Sequence, residues 1–228
     1  MCGPDGTIMR ECGTDEVGEI CVKSPGVFPG YTDDALNRNL FAGPERYLRT
    51  GDLGRIDADG YIWITGRAKD LIIRGGHNID PAIIEEALCA HPAVVFAGAI
   101  GQPDAHSGEV PAAYVELAQG ASVTREDLMA FARETIAERA AIPKDITIMD
   151  ELPKTAVGKV FKPDLRKEAT ARIYRRALEE AGIRADVRVV EDRKFGLVAE
   201  VAPEGPDVQA SDIEPVLGAF ARPWRLGG

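Results

Sequence analysis

The stretch from Tyr47 to Asp80 constrains the fold most, because it sets turns, two short apolar-alternating runs and a cluster of polar groups next to one another. At Ala58-Asp59-Gly60 the glycine can take the positive φ that a tight hairpin needs. Tyr61-Ile62-Trp63-Ile64-Thr65 then alternates with the period of a half-buried strand. Asp52 falls just before this expected hairpin and Arg67 just after it. A carboxylate accepts from two adjacent hydroxyls and a guanidinium fork fits phosphate, so the pair suits the sugar and phosphate of a nucleotide.

Composition narrows the partners. A formal net charge of -10 and a pI near 4.9 argue against nucleic acid. No apolar run approaches the length of a membrane span, and the polar start Met1-Cys-Gly-Pro-Asp has no signal-peptide character. The cysteines at 2, 12, 21 and 89 match neither a disulfide framework nor a zinc pattern, so they read as reduced thiols in a cytoplasmic setting. A chain of 228 residues can hold one or two domains.

Taken in order, Glu19 to Lys23 alternates as a strand ended by Ser24-Pro25-Gly26, and a short helical turn is expected from Asp33 to Asn39. Asp80 is a good N-cap with Pro81 behind it, and Ile83, Ile84, Ala87 and Leu88 share one face of the helix that follows. His91-Pro92 closes it. Val94 to Ile100 and Pro111 to Leu117 read as strands separated by a polar loop, Gly101 to Glu109. Thr124 caps a second helix striped by Leu128, Phe131, Ala132 and Ile136, with Asp127 as a weak capping-box partner. Ile146 and Ile148 mark a third strand, and a basic helix runs from about Pro163 to Gly182. Beyond it, residues 186–191 and 197–201 read as a hairpin around Lys194-Phe195-Gly196, and Pro203 to Pro206 as a linker. Ser211-Asp-Ile-Glu214 is a capping box opening a helix with Ile213, Val216, Leu217 and Phe220 on one face. None of the histidines, His77, His91 or His106, is grouped for a metal.

Lys159 stands out among the basic residues. The glycine before it permits a tight exposed loop, and a primary ammonium is a mobile point charge suited to developing charge on oxygen. Taken alone it reads first as a surface lysine in a solvated loop. Lys154, Lys159, Lys162, Arg166, Lys167, Arg172, Arg175 and Arg176 form a basic run that either meets phosphates or is a salt-bridged helix face.

Two motifs carry a resemblance. Thr50-Gly51-Asp52-Leu53, Asp59-Gly60-Tyr61 and Gly66-Arg67-Ala68-Lys69-Asp70 resemble the AMP-forming adenylating enzymes, and Gly75-Gly76-His77-Asn78-Ile79 their acyl-CoA synthetase branch. Leu152-Pro153-Lys154-Thr155-Ala156-Val157-Gly158-Lys159 is similar to that family's closing signature. The resemblance is strong from Gly18 to Arg166 and fades afterwards.

It implies an α+β chain: a small C-terminal domain with a short central sheet flanked by helices, preceded by a β-rich remnant of a large N-terminal domain. Residues 1–68 would be the end of that large domain, 69–183 the small domain, and 184–228 an α/β extension of unknown role. By the same resemblance Lys159 is the catalytic lysine of adenylation, and Asp52 and Arg67 contact the nucleotide. Lys69 is the hinge, and Gly75, Gly76 and His77 belong to the loop lining the CoA tunnel. ATP, Mg and CoA would serve the complete enzyme with a carboxylic acid, in a setting such as fatty acid metabolism, and the missing N-terminal domain would be a partner. Ile83 departs from the family, which often carries Glu there, while Glu85 is kept. The family's Ser/Thr/Gly-rich phosphate loop is nowhere in these residues. The alternatives are a non-catalytic binding or regulatory module, and an adenylation partner that loads a carrier protein.

Overall fold

The expected hairpin forms: β3 (Tyr47–Ile56) and β4 (Ile62–Arg67) run antiparallel with Ile56 opposite Ile62, and Gly60 takes φ +86° in the turn. Asp57 closes that turn, accepting from the Asp59 and Tyr61 amides at 3.0 and 2.9 Å and from the Trp63 indole at 2.7 Å. The computed structural model describes residues 6–192, 194–205 and 208–227, so Cys2, the rest of the polar start and Pro206 lie outside the described residues. Cys12, Cys21 and Cys89 are thiols.

The chain divides into two compact units, Met1–Leu71 and Ile72–Gly228. In the first, β1 (Gly18–Val22) pairs along one edge of β3, while β2 (Phe41–Ala42) and β4 share the other, all antiparallel. The helical turn expected from Asp33 is a 3-10 turn, Asp34–Asn37, capped by Asp33. Pairing with β1 and β2 extends β3 back to Tyr47, so Asp52 lies inside a strand and Arg67 ends one, rather than flanking the hairpin. The alternation of Tyr61 to Ile64 marks a strand, but not a half-buried one. Tyr61, Ile62, Trp63 and Ile64 are all exposed, because no second layer covers this sheet among the described residues.

The second unit centres on a five-stranded sheet in the order β6-β5-β8-β7, with a further strand, β9, on β8. Its strands are β5 (Ile72–Arg74), β6 (His77–Ile79), β7 (Val94–Asp104), β8 (Gly108–Leu117) and β9 (Asp145–Met149), of which only β9 runs parallel to its neighbour. Successive side chains of a strand point to opposite faces. Thus Ala99, Ala113 and Val115 pack with α1 (Pro81–Cys89) and α2 (Arg125–Thr135), through Ile84, Leu88, Leu128 and Ala132. Ile100, Ala112 and Tyr114 face the other way and meet Leu165 and Ala169 of α3 (Lys162–Glu180). Both sheet faces are covered. The caps are as expected: Asp80 accepts from the Ala82 amide at 2.9 Å, and Thr124 and Asp127 form a reciprocal box.

The far half of α3 serves a second core. Tyr174 and Leu178 pack with β10 (Ala185–Asp192), β11 (Gly196–Pro203) and α4 (Ala210–Leu217) through Val187, Ala199, Val201, Ile213 and Leu217. A short β12 (Trp224–Leu226), not foreseen from sequence, adds to β11 in parallel.

Four local expectations change. The loop Gly101 to Glu109 shrinks to Ala105-His106-Ser107, because β7 and β8 pair as far as Asp104 opposite Gly108. Ile83 is exposed, lying off the face of α1 that Ile84 and Leu88 bury. α4 starts before Ser211, because Asp212 takes the Gln209 amide at 2.8 Å and makes Gln209 the cap. Phe220 falls beyond that helix and packs against Tyr174, with centroids 4.9 Å apart.

Candidate functional site

In the first unit, Asp52 and Arg67 face one another across β3 and β4, with Arg67 Nε 2.9 Å from Asp52 Oδ1. The local sequence fixes this placement. Thr50 Oγ1 donates to the Ile20 carbonyl at 2.8 Å and accepts from the Asp52 amide at 3.0 Å, while Gly51 takes φ +72° between them. Arg67 Nη1 also reaches the Thr50 carbonyl at 3.2 Å. The arrangement is also a plain strand-end ion pair. It also leaves the Arg67 side chain 53% and the Asp52 side chain 34% exposed, open to a sugar and a phosphate. Lys69 follows in a 3-10 turn, Ala68–Asp70, exposed and just before the boundary between the units.

In the second unit, Gly75 and Gly76 are the two residues of the β5–β6 turn, flanked by the pair Arg74 and His77. Both take positive φ, +57° and +84°, the signature of a two-residue turn of the I′ kind. A side chain added at either would meet nothing within 4 Å, so backbone conformation, not crowding, requires glycine here. The space beside this turn is open to a thin ligand. His77 Nε2 pairs with Glu138 Oε1 at 2.6 Å, and Arg74 Nη1 donates to the Ala140 carbonyl at 2.8 Å.

Lys159 belongs to another hairpin of the same unit. Thr155 N donates to the Lys159 carbonyl at 2.7 Å, Lys159 N to Thr155 Oγ1 at 3.2 Å, and Gly158 turns the chain at φ +79°. Lys154 bridges to Val160 outside this turn. The neighbouring lysines are tied down. Lys154 lies 2.7 Å from Glu116 Oε2 and 4.3 Å from the centroid of Phe96. Lys162 lies 2.8 Å from Glu85 Oε1, an oxygen that also accepts from the Ala99 amide at 2.7 Å. Lys159 is exposed, and among the described residues no ion pair engages its ammonium. A tight loop thus presents one mobile cation between two immobilised ones.

The rest of the basic run is largely spoken for. Lys167 pairs with Asp164 and Glu191, Arg172 with Asp145 and Glu168, Arg175 with Asp186, and Arg176 with Glu180. That is the salt-bridged helix face rather than a phosphate patch. His91 stacks edge-on against Phe131, and the His106 amide closes a turn on Asp104. No group of three or more His, Cys, Asp or Glu among the described residues is placed to hold a metal. No helix among them is long and apolar enough to cross a membrane.

Sequence reasoning missed two features. A cleft of about 480 Å³ adjoins the Lys159 hairpin, lined by Met149, Leu152, Pro153, Lys154, Leu165 and Glu168 among others. Behind it the buried Tyr114 hydroxyl donates to Glu168 and receives Arg172 Nη2 at 3.4 Å; burial first, then Glu168, pushes the phenol up. A tyrosine in an apolar strand carries no signal for that network before the fold is known.

Residues 83–159 match the family model of the AMP-binding enzyme C-terminal domain. The chain is similar to the marinolic acid–CoA ligase of Pseudoalteromonas sp. (strain SANK 73390), 40% identical over 227 residues, 97% of this chain and 35% of that protein. It is also similar to the 2-succinylbenzoate–CoA ligase of Bacillus mycoides (strain KBAB4), 43% identical over 152 residues, 66% of this chain and 30% of that protein. The chain thus spans about a third of the length of these relatives, 35% and 30%. Among solved structures it resembles ATP-bound MatB from Rhodopseudomonas palustris, with a TM-score of 0.65 at 36% identity over 70% of this chain and 31% of that one. It also resembles the O-succinylbenzoate coenzyme A synthetase of Bacillus subtilis in complex with AMP, with a TM-score of 0.59 at 36% identity over 68% of this chain and 31% of that one.

Proposed function

Because this chain belongs to the adenylate-forming enzymes, whose C-terminal portion it carries, we propose that it is the mobile catalytic portion of an ATP-dependent acyl-CoA synthetase. The observation that carries the reading is the exposed ammonium of Lys159 on a tight hairpin, engaged by no ion pair among the described residues, between Lys154 and Lys162, which are both held by carboxylates. In the first half-reaction a substrate carboxylate oxygen attacks the α-phosphorus of ATP. A bond to pyrophosphate breaks, and Lys159 stabilises the negative charge spread over the carboxylate and phosphate oxygens. Asp52 accepts from the ribose hydroxyls, and Arg67 turns from Asp52 toward phosphate. In the second half-reaction the CoA thiol, losing its proton, attacks the acyl carbonyl and AMP leaves. Rotation of the small domain about Lys69 withdraws Lys159 and brings the Gly75-Gly76 turn and His77 over the site. The domain limits 1–68, 69–183 and 184–228 go with this reading, as does a partner N-terminal domain supplying the phosphate loop.

Magnesium would accompany ATP, but the described residues offer no carboxylate cluster for it. The thiols and the acidic charge suit a cytoplasmic enzyme.

The test is Lys159→Ala in the complete enzyme. ATP–pyrophosphate exchange should fall by about 10²–10³-fold, the usual loss for one preorganised charge-stabilising donor. Thioester formation from preformed acyl-adenylate should persist. Unchanged exchange would favour a binding or regulatory module. Some solved neighbours, such as McbA from Marinactinospora thermotolerans, are described as amide bond synthetases. Acyl transfer to an amine or to a phosphopantetheinylated carrier, with free CoA inert, would keep the adenylation and replace the acceptor.

A further inference from the structure

The β5–β6 hairpin that carries Gly75 and Gly76 has little backbone holding it to its sheet. Each strand has three residues, and β5 meets β8 at one residue pair, Arg74 opposite Gly108, supplemented by the Gly75 amide on the Ser107 carbonyl at 2.8 Å. A two-stranded hairpin of this length is marginal by itself. In a two-residue hairpin the flanking pair, Arg74 and His77, exchanges backbone bonds, so the next pair, Ile73 and Asn78, points its amides outward. The Ile73 amide therefore faces away from β6. A side chain takes it: Glu109 Oε2 accepts from Ile73 N at 3.3 Å.

Glu109 is in turn held from the far end of the chain. Its Oε1 lies 3.3 Å from Arg222 Nη2, in the segment between α4 and β12. Arg222 Nη1 donates to Thr170 Oγ1 of α3 at 3.0 Å, and the buried Tyr174 hydroxyl donates to the Arg222 carbonyl at 2.6 Å. The next residue, Pro223, accepts from the Ala199 amide of β11 at 3.0 Å. The Arg222 side chain is only 16% exposed and the Glu109 side chain 28%. Gly101 completes the seat, because a Cβ there would stand 2.2 Å from Glu109 Oε2.

We propose that the C-terminal extension is a brace for the Gly75-Gly76 turn, with Arg222 as a positioning residue that acts through Glu109 on the Ile73 amide. The significance for CoA rests on the function proposed above for that turn; the brace itself does not. The geometry gives the extension a task in the thioester half-reaction while leaving it outside adenylation.

The test uses amide exchange in the intact 228-residue chain and half-reaction kinetics in the complete enzyme. In Arg222→Ala the Ile73 amide should exchange faster by about tenfold, the worth of one charge-assisted hydrogen bond, with the Ile84 and Leu88 amides unchanged. Arg222→Lys, whose single ammonium cannot serve Thr170 and Glu109 in the same fork, should loosen Ile73 partly, and Gly101→Ala should reproduce the loss by displacing the carboxylate. These two milder variants decide the matter if Arg222→Ala unfolds. In the complete enzyme Arg222→Lys should raise KM for CoA with ATP–pyrophosphate exchange unaltered, whereas a general loss of structure lowers the rates of both half-reactions. Unchanged Ile73 exchange in folded Arg222→Lys and Gly101→Ala overturns the brace. Faster Ile73 exchange with an unchanged KM for CoA upholds the brace and removes the turn from the thioester step.

Discussion

The two units use the same strand chemistry and arrive at different interiors. Among the described residues of the first, Ala42 is the one fully buried apolar side chain, and Ile56, Ile62, Trp63 and Ile64 are exposed. What holds this sheet is polar: Asp57 closing its turn, Thr50 tying β3 to β1, and Arg49 lying 2.7 Å from Glu19 with both side chains mostly buried. In the second unit both faces of the central sheet are covered, and α3 closes two cores with one helix. Hairpins and alternation are local properties, but burial requires a second layer. The Asp52–Arg67 pair is therefore set by a sheet whose apolar side chains are exposed. The Lys159 and Gly75-Gly76 turns stand on a scaffold with its own core.

The sharpest way to break this contrast is to separate the units. Residues 72–228 expressed alone should unfold in one cooperative transition in urea, because their cores lie within them. Residues 1–71 alone should give no cooperative transition, their apolar strand faces having nothing to pack on. Circular dichroism through a urea titration reads both. A sigmoidal transition from residues 1–71 would mean that the polar framework suffices.

A smaller effect grades the same difference inside the intact chain. Leu165→Ala or Leu178→Ala removes a fully buried side chain and should cost about 2–5 kcal/mol. Ile62→Ala or Ile64→Ala, at 59% and 64% exposure, should stay within about 0.5 kcal/mol. Equilibrium urea unfolding of the four variants measures this. A cost at Ile62 equal to that at Leu178 would erase the distinction.

Much of this was legible in the sequence, and the exceptions share a cause. Caps and turns were readable because their chemistry is local: Asp80 before Pro81, Thr124 with Asp127, and the glycines at 60, 75, 76 and 158. The candidate residues were readable because two motifs place them. Residues whose state depends on distant neighbours were not. Ile83 looks like its neighbour Ile84 until α1 is docked, and Gly101 to Glu109 looks like a loop until β7 and β8 pair along it. The pairing of Lys154 and Lys162, which leaves Lys159 distinct, needs Glu116 and Glu85 brought from remote strands and helices. Arg222 is the extreme case, since its partner Glu109 lies 113 residues away along the chain.

The smallest expected effect concerns charge, and it sharpens the contrast between a pair that braces the Lys159 hairpin and one that decorates a surface. Glu116 accepts from Lys154 and from the Leu152 amide, and these bonds, Lys154 first, hold its carboxyl below the usual value of 4.5. Glu45 in the first unit is also lowered by its lysine, Lys23, but both of those side chains are well exposed. For a carboxyl depressed in the folded state, the stabilisation is fully present above its unfolded value and disappears as pH falls through the folded value. Stability of the chain should therefore decline on acidification below about 4.5. Glu116→Gln should flatten part of that decline, by at most about 1 kcal/mol for a partly screened pair. Glu45→Gln should leave the decline as it is in 1 M salt, where exposed pairs are screened. Urea midpoints at a series of pH values separate the two. The variant should also speed amide exchange at Leu152, because the same carboxylate anchors the base of the Lys159 hairpin. An acid limb unchanged in Glu116→Gln, with Leu152 equally protected, would make this pair as ornamental as the exposed one.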